Sequence, residues 1–546
     1  MSADPPDRSI TRRSFLKKTA LAAGAAAGLI SCNPVVPAGR RKFPGRIMGA
    51  DWKTGHMLLE GRKTAPSATV KTGIVIVGGG IAGLSAAREL AKNGCGDFLL
   101  LELGGTVGGN AASGANAVSA YPWGAHYVPI PGEEAVFTRE LFRELGIIEG
   151  YDSKGLPIYN EFYLCADPME RLFIHGRWQE GLVPNIGISG RDKQQYAEFF
   201  GMMEGFRRAR GADGRRAFAI PLELSSADER FRRFDRMSMR RFMSVNGWDS
   251  EPLLWYTDYC CRDDYGSTLD DVSAWAGIHY FAARDGRASN AEPQAVVTWP
   301  EGNGWIVRRM AEPLHDRIRC SSCVLNIGRS GSDIATDVFD SRTKTVTRVV
   351  SQAVVYAAPR FTAMKTIQDL RDRPSPYVKD FGYAPWVIAN ITVRGIPAGK
   401  GAALSWDNVV YKGESLGYVD AGHQDISYYR DKTVMTYYKP LVPGDPAAER
   451  KRALGTGYDI WAEMIVRELS AIHPGIEQAI EELNVWIWGH AMIRPVPGFI
   501  WGEARQAALK PLGRIHFAHS DMSGISIFEE AQYRGIMAAR AAVNSV

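Results

Sequence analysis

The chain has 546 residues, enough for more than one folded domain, and its 45% apolar and 23% charged content is that of a soluble globular protein. Residues 1–31 hold five basic and two acidic side chains and so supply +3 of the +5 formal net charge; the +2 left over makes no case for a nucleic-acid partner. No segment has eighteen uninterrupted apolar residues, so the pattern predicts no transmembrane helix.

The first 72 residues read as an address and a tether. Thr11-Arg-Arg-Ser-Phe-Leu-Lys17 has the form of a twin-arginine export signal, and the weakly apolar stretch Ala20 to Ile30 follows it. Those eleven residues fall short of the about 20 that span a bilayer. A folded protein delivered to the periplasm is the expectation. Leu29-Ile-Ser-Cys32 resembles a lipobox, so two fates stand: Cys32 is lipidated and tethers the protein to a membrane, or simple cleavage falls nearby. Residues 32–72, rich in Pro, Gly and basic side chains, are expected to form a linker or N-terminal arm.

Folded structure is expected from residue 73. The β-branched run Ile74 to Val77 reads as a buried parallel strand. Gly78, Gly80 and Gly83 follow in G-x-G-x-x-G spacing, and a helix opens at Ile81, carries Leu84, Ala87 and Leu90 on one face, and ends at Asn93-Gly94. Gly78 permits a tight turn, Gly80 lets a pyrophosphate approach the backbone, and Gly83 lets helix and strand pack closely. The helix N-terminus at Ile81 and Ala82 supplies unpaired N–H groups for phosphates. Phe98 to Leu101 is the next strand, and Glu102, nineteen residues past Gly83, stands where a ribose-binding acid belongs.

Gly108 and Gly109 come six and seven residues after that acid, followed by Asn110. Together with the fingerprint, this segment resembles the two-dinucleotide-binding-domain flavoproteins, in particular the flavin-containing amine oxidase superfamily. Five further segments are similar to that family in the same order: Tyr121-Pro-Trp-Gly-Ala-His126, Pro300-Glu-Gly-Asn-Gly-Trp305, Cys323-Val-Leu-Asn-Ile327, Val354-Val-Tyr-Ala-Ala-Pro359 and Ile515-His-Phe-Ala-His-Ser-Asp521. The resemblance implies FAD rather than NAD. It implies that Gly124, Ala125 and His126 pass close to the flavin, that the backbone of Val324 meets the adenine, and that Asp521 contacts the ribityl and pyrophosphate region. Ser526-Ile-Phe-Glu529 has capping-box spacing, so a terminal helix with Glu530 in its first turn is expected to run from Ser526 to about Asn544 and aim its N-terminus at the cofactor.

The implied fold class is an α/β FAD-binding Rossmann-like domain with an interleaved α+β substrate domain built on a mixed or antiparallel sheet. The first would take residues 73–130, 300–370 and 495–546, and the second residues 131–299 and 371–494. Within the second, Glu133 to Gly146, Tyr196 to Arg210 and Tyr458 to Ile472 read as helices, and Trp386 to Val393, Gly417 to Val419 and Thr433 to Tyr438 as strands.

Seven cysteines lie at 32, 95, 165, 260, 261, 320 and 323. Cys320 and Cys323 make half of a zinc site with no matching pair, so no metal is expected. Adjacent Cys260 and Cys261 cannot bridge without strain. No cysteine follows residue 323, so the cysteinyl-flavin link that monoamine oxidases carry near their C-terminus is unavailable, and FAD is expected to be non-covalent.

The family's chemistry passes a hydride from a substrate carbon to flavin N5. For an amine, the nitrogen must be neutral, a form favoured by an aromatic and poorly hydrated pocket. Candidate pocket residues are Trp488, Arg494, Trp501 and Tyr438, from aromatic-rich segments; Trp488-Gly-His490-Ala and Ala384 to Thr392 most resemble bacterial spermidine dehydrogenase-type relatives. His490 is the candidate catalytic residue, as a base or substrate-orienting group, with a hydrogen-bonded wall residue as the alternative. Arg494 either attracts a substrate carboxylate or pairs with an internal acid. His126 is expected to support the flavin.

This chain departs from the family at Thr106 and Asn110, where arginines are common. The strand Trp386 to Arg394 also lacks the lysine that holds a water at flavin N5 in many amine oxidases. The electron acceptor therefore stays open among oxygen, a quinone and a cytochrome. Three functions stand: an exported amine or polyamine oxidase or dehydrogenase; a desaturase, isomerase or protoporphyrinogen-oxidase-like enzyme acting on a large apolar molecule; and a non-catalytic flavin-binding lipoprotein. An acid-lined tunnel points to the first, and a wide pocket facing a membrane to the second.

Overall fold

The structure, a computed structural model, describes residues 42–61, 64–426 and 431–546; the twin-arginine segment and Cys32 lie outside the described residues. Elements that position the site are, in chain order, β1 (Ile47–Gly49), β2 (Ala68–Lys71), β3 (Ile74–Val77), α1 (Ile81–Lys92), β4 (Phe98–Leu101), β5 (Glu170–Ile174), α2 (Glu251–Tyr265), β6 (Ile318–Arg319), β7 (Ser322–Ser330), β8 (Ala353–Tyr356), β9 (Tyr383–Val393), β10 (Asp407–Val410), β11 (Thr433–Pro440), β12 (Ile480–Ile493), β13 (Ile515–Phe517) and α3 (Phe528–Val543).

The first sheet runs β6-β4-β3-β8-β13, and every pairing in it is parallel. All residues of β3, β4 and β8 are buried, as strands covered on both faces must be. Alternation divides them between two cores. Ile74 and Ile76 pack with Leu84 of α1 and Ala538 of α3, whereas Val75 and Val77 pack with Val324 and Ile327 of β7. Helix α1 opens at Ile81 as its spacing predicts. Two glycines let the layers close: a Cβ on Gly83 would sit 1.8 Å from the Gly78 oxygen, and one on Gly535 would sit 2.1 Å from the Ala82 oxygen.

The second sheet has eight strands, in the order β1-β12-β9-β11, then Gly417–Asp420, β10, β5 and Arg177–Glu180. It is mixed: β1 pairs with β12 and β5 with β10 in parallel, and the remaining pairs are antiparallel. The helix Tyr458–Ile472 has the predicted bounds and packs Trp461, Ile465 and Leu469 against Ala389 and Val485 of this sheet. The fold class is thus a Rossmann-like α/β domain combined with a mixed-sheet α+β part.

Three local expectations are corrected. Within the expected linker 32–72, Ile47 pairs with Val485 and Ala68 with Thr347, so β1 and β2 each extend a sheet built from residues hundreds of positions away. The helix expected from Tyr196 begins at Gly190, because Ser189 and Asp192 form a reciprocal cap. Ser526 does not cap α3, which starts at Phe528 without a side-chain cap; its hydroxyl instead accepts from the Ile493 N–H at 3.1 Å.

Candidate active site

The glycine loop between β3 and α1 meets the loop Gly108–Asn110 face to face. A Cβ built on Gly109 would lie 3.3 Å from the Gly80 Cα, so side chains here would fill the gap between the loops. Gly80 precedes α1 with no side-chain cap, and α3 also lacks one. Two helix N-termini therefore keep backbone N–H groups for an anionic ligand. Glu102 accepts from the Gly79 and Gly104 N–H groups, both at 2.7 Å. Burial pushes its carboxyl above the ordinary range, against the pull of those two bonds.

At the far end of the first sheet, buried Asp521 accepts from the Arg360 N–H at 2.8 Å and the Tyr383 hydroxyl at 2.6 Å. Burial opposes ionisation there, but His519, Tyr383 and the Arg360 backbone outweigh it and hold the carboxyl below its usual range. Val324 is buried against the same sheet, next to a register break in β7. These parts fit a dinucleotide running from Glu102 past the glycines towards α3.

Where the flavin end would lie there is a cavity of about 150 Å³, lined by Asn110, Gly124, Ala125, His126, Tyr438 and Trp488 among others. Asn303 faces it with Oδ1 buried and unpartnered among the described residues, an acceptor awaiting a donor. The wall is held by backbone: Ala125 N–H donates to the Asn110 carbonyl at 2.8 Å, and Asn110 donates to the Ala491 carbonyl.

A much larger cavity, about 1210 Å³, adjoins it. His126, Tyr127, Pro129, Asp263 and Arg284 line both, so they form the neck between them. The neck is aromatic. The His126 ring lies 4.5 Å from Tyr438 and 5.4 Å from Trp406, and Tyr127 meets Trp406 edge-on at 5.8 Å. Burial pulls His126 down to about 4, so its ring is neutral at neutral pH.

Among the described residues, seven carboxylates and seven arginines line the large cavity. Arg216 pairs with Glu134 and Asp285, and Arg207 and Arg208 pair with Glu204, whereas Glu170 of β5, Asp263 of α2 and Asp407 of β10 form a cluster of acids that face one another. Glu170 has no hydrogen bond or ion pair of its side chain among the described residues, and burial raises its carboxyl. Tyr127 donates to Asp263 and Tyr259 to Asp407, each at 3.3 Å. Burial, then repulsion from Glu170 and Asp263, drives Asp407 well above the ordinary range. Arg284, the cation in the neck, is tied to Asp264.

Of the residues predicted from sequence, Tyr438 and Trp488 line the flavin-end cavity, and Trp488 donates to the Trp123 carbonyl. Three do not reach either cavity. His490 stacks on Phe361 at 4.1 Å and meets Tyr383 edge-on, near Asp521. The cause is a bulge: Ala384 and Trp386 of β9 pair with Met492 and Trp488 of β12, so the extra residues Gly489 to Ala491 turn His490 away. Arg494 pairs with Asp271 at 2.9 Å and Ser267 at 2.8 Å. Trp501 packs edge-on against Trp275 with Arg232 over its ring. Glu530 is also turned from the flavin, accepting from the Leu222 N–H, and its neighbour Glu529 lines the cavity instead. Sequence reading missed Tyr127, Glu170, Asp263, Trp406 and Asp407; Asp263-Asp264 in an apolar helix and the place of Tyr127 beside the His126 segment were the available signals.

Residues 76–145 match the family model of an NAD(P)-binding Rossmann-like domain. Among curated proteins, the chain is 24% identical over 347 residues to the chloroplastic protoporphyrinogen oxidase of Oryza sativa subsp. japonica, a match spanning 60% of each protein. Among solved structures it resembles wild-type putrescine oxidase bound to putrescine, at 14% identity and TM-score 0.61, over 87% of this chain and 100% of that one. Cyclohexylamine oxidase from Brevibacterium oxydans gives 15% identity and TM-score 0.60, over 87% and 99%. Likeness at such identities is likeness of fold. The glycine cradle, the mixed sheet beside it and the cavity at their junction are accordingly arranged in the fold that putrescine oxidase and cyclohexylamine oxidase have.

Proposed function

We propose that this chain is an FAD-dependent oxidoreductase that oxidises an amine. The observation that carries the reading is the large cavity with Glu170, Asp263 and Asp407 in its wall and an aromatic neck opening on the flavin end. Glu170 and Asp407 face Asp263 beside the neck, and this acid cluster attracts a cationic group there and repels a carboxylate, while seven arginines line the same cavity. Putrescine and cyclohexylamine, named for two similarly folded proteins, are amines, which supports the same reading.

Bound FAD would supply the hydride acceptor, and Gly80, Glu102, Gly109 and Asp521 would hold it. The remaining work belongs to the chain. Tyr438, Trp406 and the neutral His126 ring exclude water around the substrate nitrogen and so favour the uncharged amine. Tyr127 and Asp263 orient it from the cavity side. No lysine among the described residues lines the flavin-end cavity, which supports a quinone or cytochrome rather than oxygen as electron acceptor. We place the enzyme in the periplasm after twin-arginine export, tethered if Cys32 is lipidated.

The test is anaerobic stopped-flow reduction of the purified yellow protein with mono-, di- and polyamines, then with porphyrinogens and polyenes. Amines should bleach the flavin. Bleaching by porphyrinogens or polyenes alone would replace this reading with the protoporphyrinogen-oxidase-like or desaturase one, which the rice relative favours.

A further inference from the structure

An alkyl amine reaches the enzyme as an ammonium, because its pKa of about 10 lies far above neutral pH. Only the neutral amine can lose hydride from its α-carbon, since the nitrogen lone pair must form the C=N bond. A proton therefore has to leave inside the cavity, and the aromatic neck leaves little room for water to take it.

Asp263 stands at that point. It sits in the last turn of α2 and is the one carboxylate of the three that lines both cavities. The groups facing it are known from each side. Asp264, Tyr259 and Cys260 share its helix; Tyr127 donates to it from the neck; Arg284, already bound to Asp264, faces it from beyond the helix Ala274–Ala282. Glu170, Asp407 and Tyr438 face it from the mixed sheet. Burial, then Asp264, moves the Asp263 carboxyl up to about 7, against the pull of Arg284 and Tyr127. Three enclosed carboxylates cannot all stay charged, but an arriving cation lets them ionise. The unpartnered Glu170 side chain and Asp407 then balance the positive charge while Asp263 is free to accept.

Building on the amine reading, we propose that Asp263 takes the proton of the substrate ammonium at the neck between the two cavities. The step balances: R–CH2–NH3+ and the Asp263 carboxylate give R–CH2–NH2 and the Asp263 carboxylic acid. Loss of hydride from the α-carbon to flavin then leaves the iminium R–CH=NH2+, whose charge faces Glu170 and Asp407, and water hydrolyses it to aldehyde and ammonium.

The experiment compares FAD-loaded wild type with Asp263→Asn, an isosteric change that keeps an acceptor for Tyr127, in anaerobic flavin reduction from pH 6 to 10. In wild type the rate should rise through neutral pH with an enzyme group, at the same midpoint for amines of different pKa. In Asp263→Asn the reduction should fall by about 100-fold at pH 7.5 and recover as the pH nears that of the amine's own deprotonation. FAD content and melting temperature report whether the variant is folded. A second readout needs no turnover: calorimetry with tert-butylamine, which has no α-hydrogen, in buffers of different ionisation heat. Wild type should bind it with little net proton release, and Asp263→Asn should release close to one proton per amine. An unchanged pH profile in Asp263→Asn, or a wild-type midpoint that tracks the amine's pKa, overturns the assignment of Asp263 alone. Failure of every amine to bleach wild type overturns the amine reading and this step with it.

Discussion

Replacing Glu102 should cost fold stability as well as cofactor binding, because its carboxylate is bonded to the chain itself. Both oxygens accept backbone N–H groups at 2.7 Å, from Gly79 in the fingerprint turn and Gly104 in the next loop. Hydrogen bonds to a charged group contribute about 1.5–3 kcal/mol each, so Glu102→Ala, which strands both donors, should lose about 3–6 kcal/mol. For a unit of this size the unfolding entropy is roughly 1 kcal/mol per degree, which makes the shift about 3–6 °C. Glu102→Gln keeps one acceptor and should lose about half as much. The sign of its pH dependence follows from burial, which holds the Glu102 carboxyl above its ordinary range. Wild type loses stability as pH rises through that raised value, whereas Gln does not titrate, so the Gln deficit should shrink with rising pH. Scanning calorimetry of the FAD-free proteins, beside FAD titrations, separates the two roles. An FAD-free Glu102→Ala protein melting within about 1 °C of wild type, with FAD affinity lost, would show that the acid serves the ribose and not the loops.

Gly80→Val should yield colourless protein from flavin-replete cells, because the side chain fills the gap facing Gly109; retention of FAD would refute the glycine loops as the cofactor's cradle. His490→Ala should lower FAD retention while the loaded fraction is reduced at a rate within about twofold of wild type; a loss of 100-fold or more, typical of a removed base, would restore its catalytic role. Replacing Arg12 and Arg13 with lysine should strand FAD-loaded protein in the cytoplasm, read by fractionation, and unchanged export would exclude the twin-arginine route.

The cofactor half was legible because its parts are local. Strand, fingerprint, helix, second strand and Glu102 fall between residues 74 and 102, where backbone geometry alone relates spacing to position. The long strand β9 and the helix Tyr458–Ile472 were legible for the same reason, each showing its own periodicity. The cavity was not. Tyr127, Glu170, Asp263 and Asp407 arrive from four separate segments; Tyr127 adjoins the His126 segment and Asp263-Asp264 is a faint signal, but nothing near Glu170 or Asp407 in sequence marks a site. His490 shows the same limit from the other side: its segment has the right residue types, but the bulge in β12 turns it towards Asp521. Sequence by itself determined the dinucleotide cradle, the strands and helices with strong patterns, and the class of chemistry to consider. Tertiary structure alone decided which acids share the cavity and which side chain stands at the neck, because non-local strand pairing, and not spacing along the chain, sets those distances.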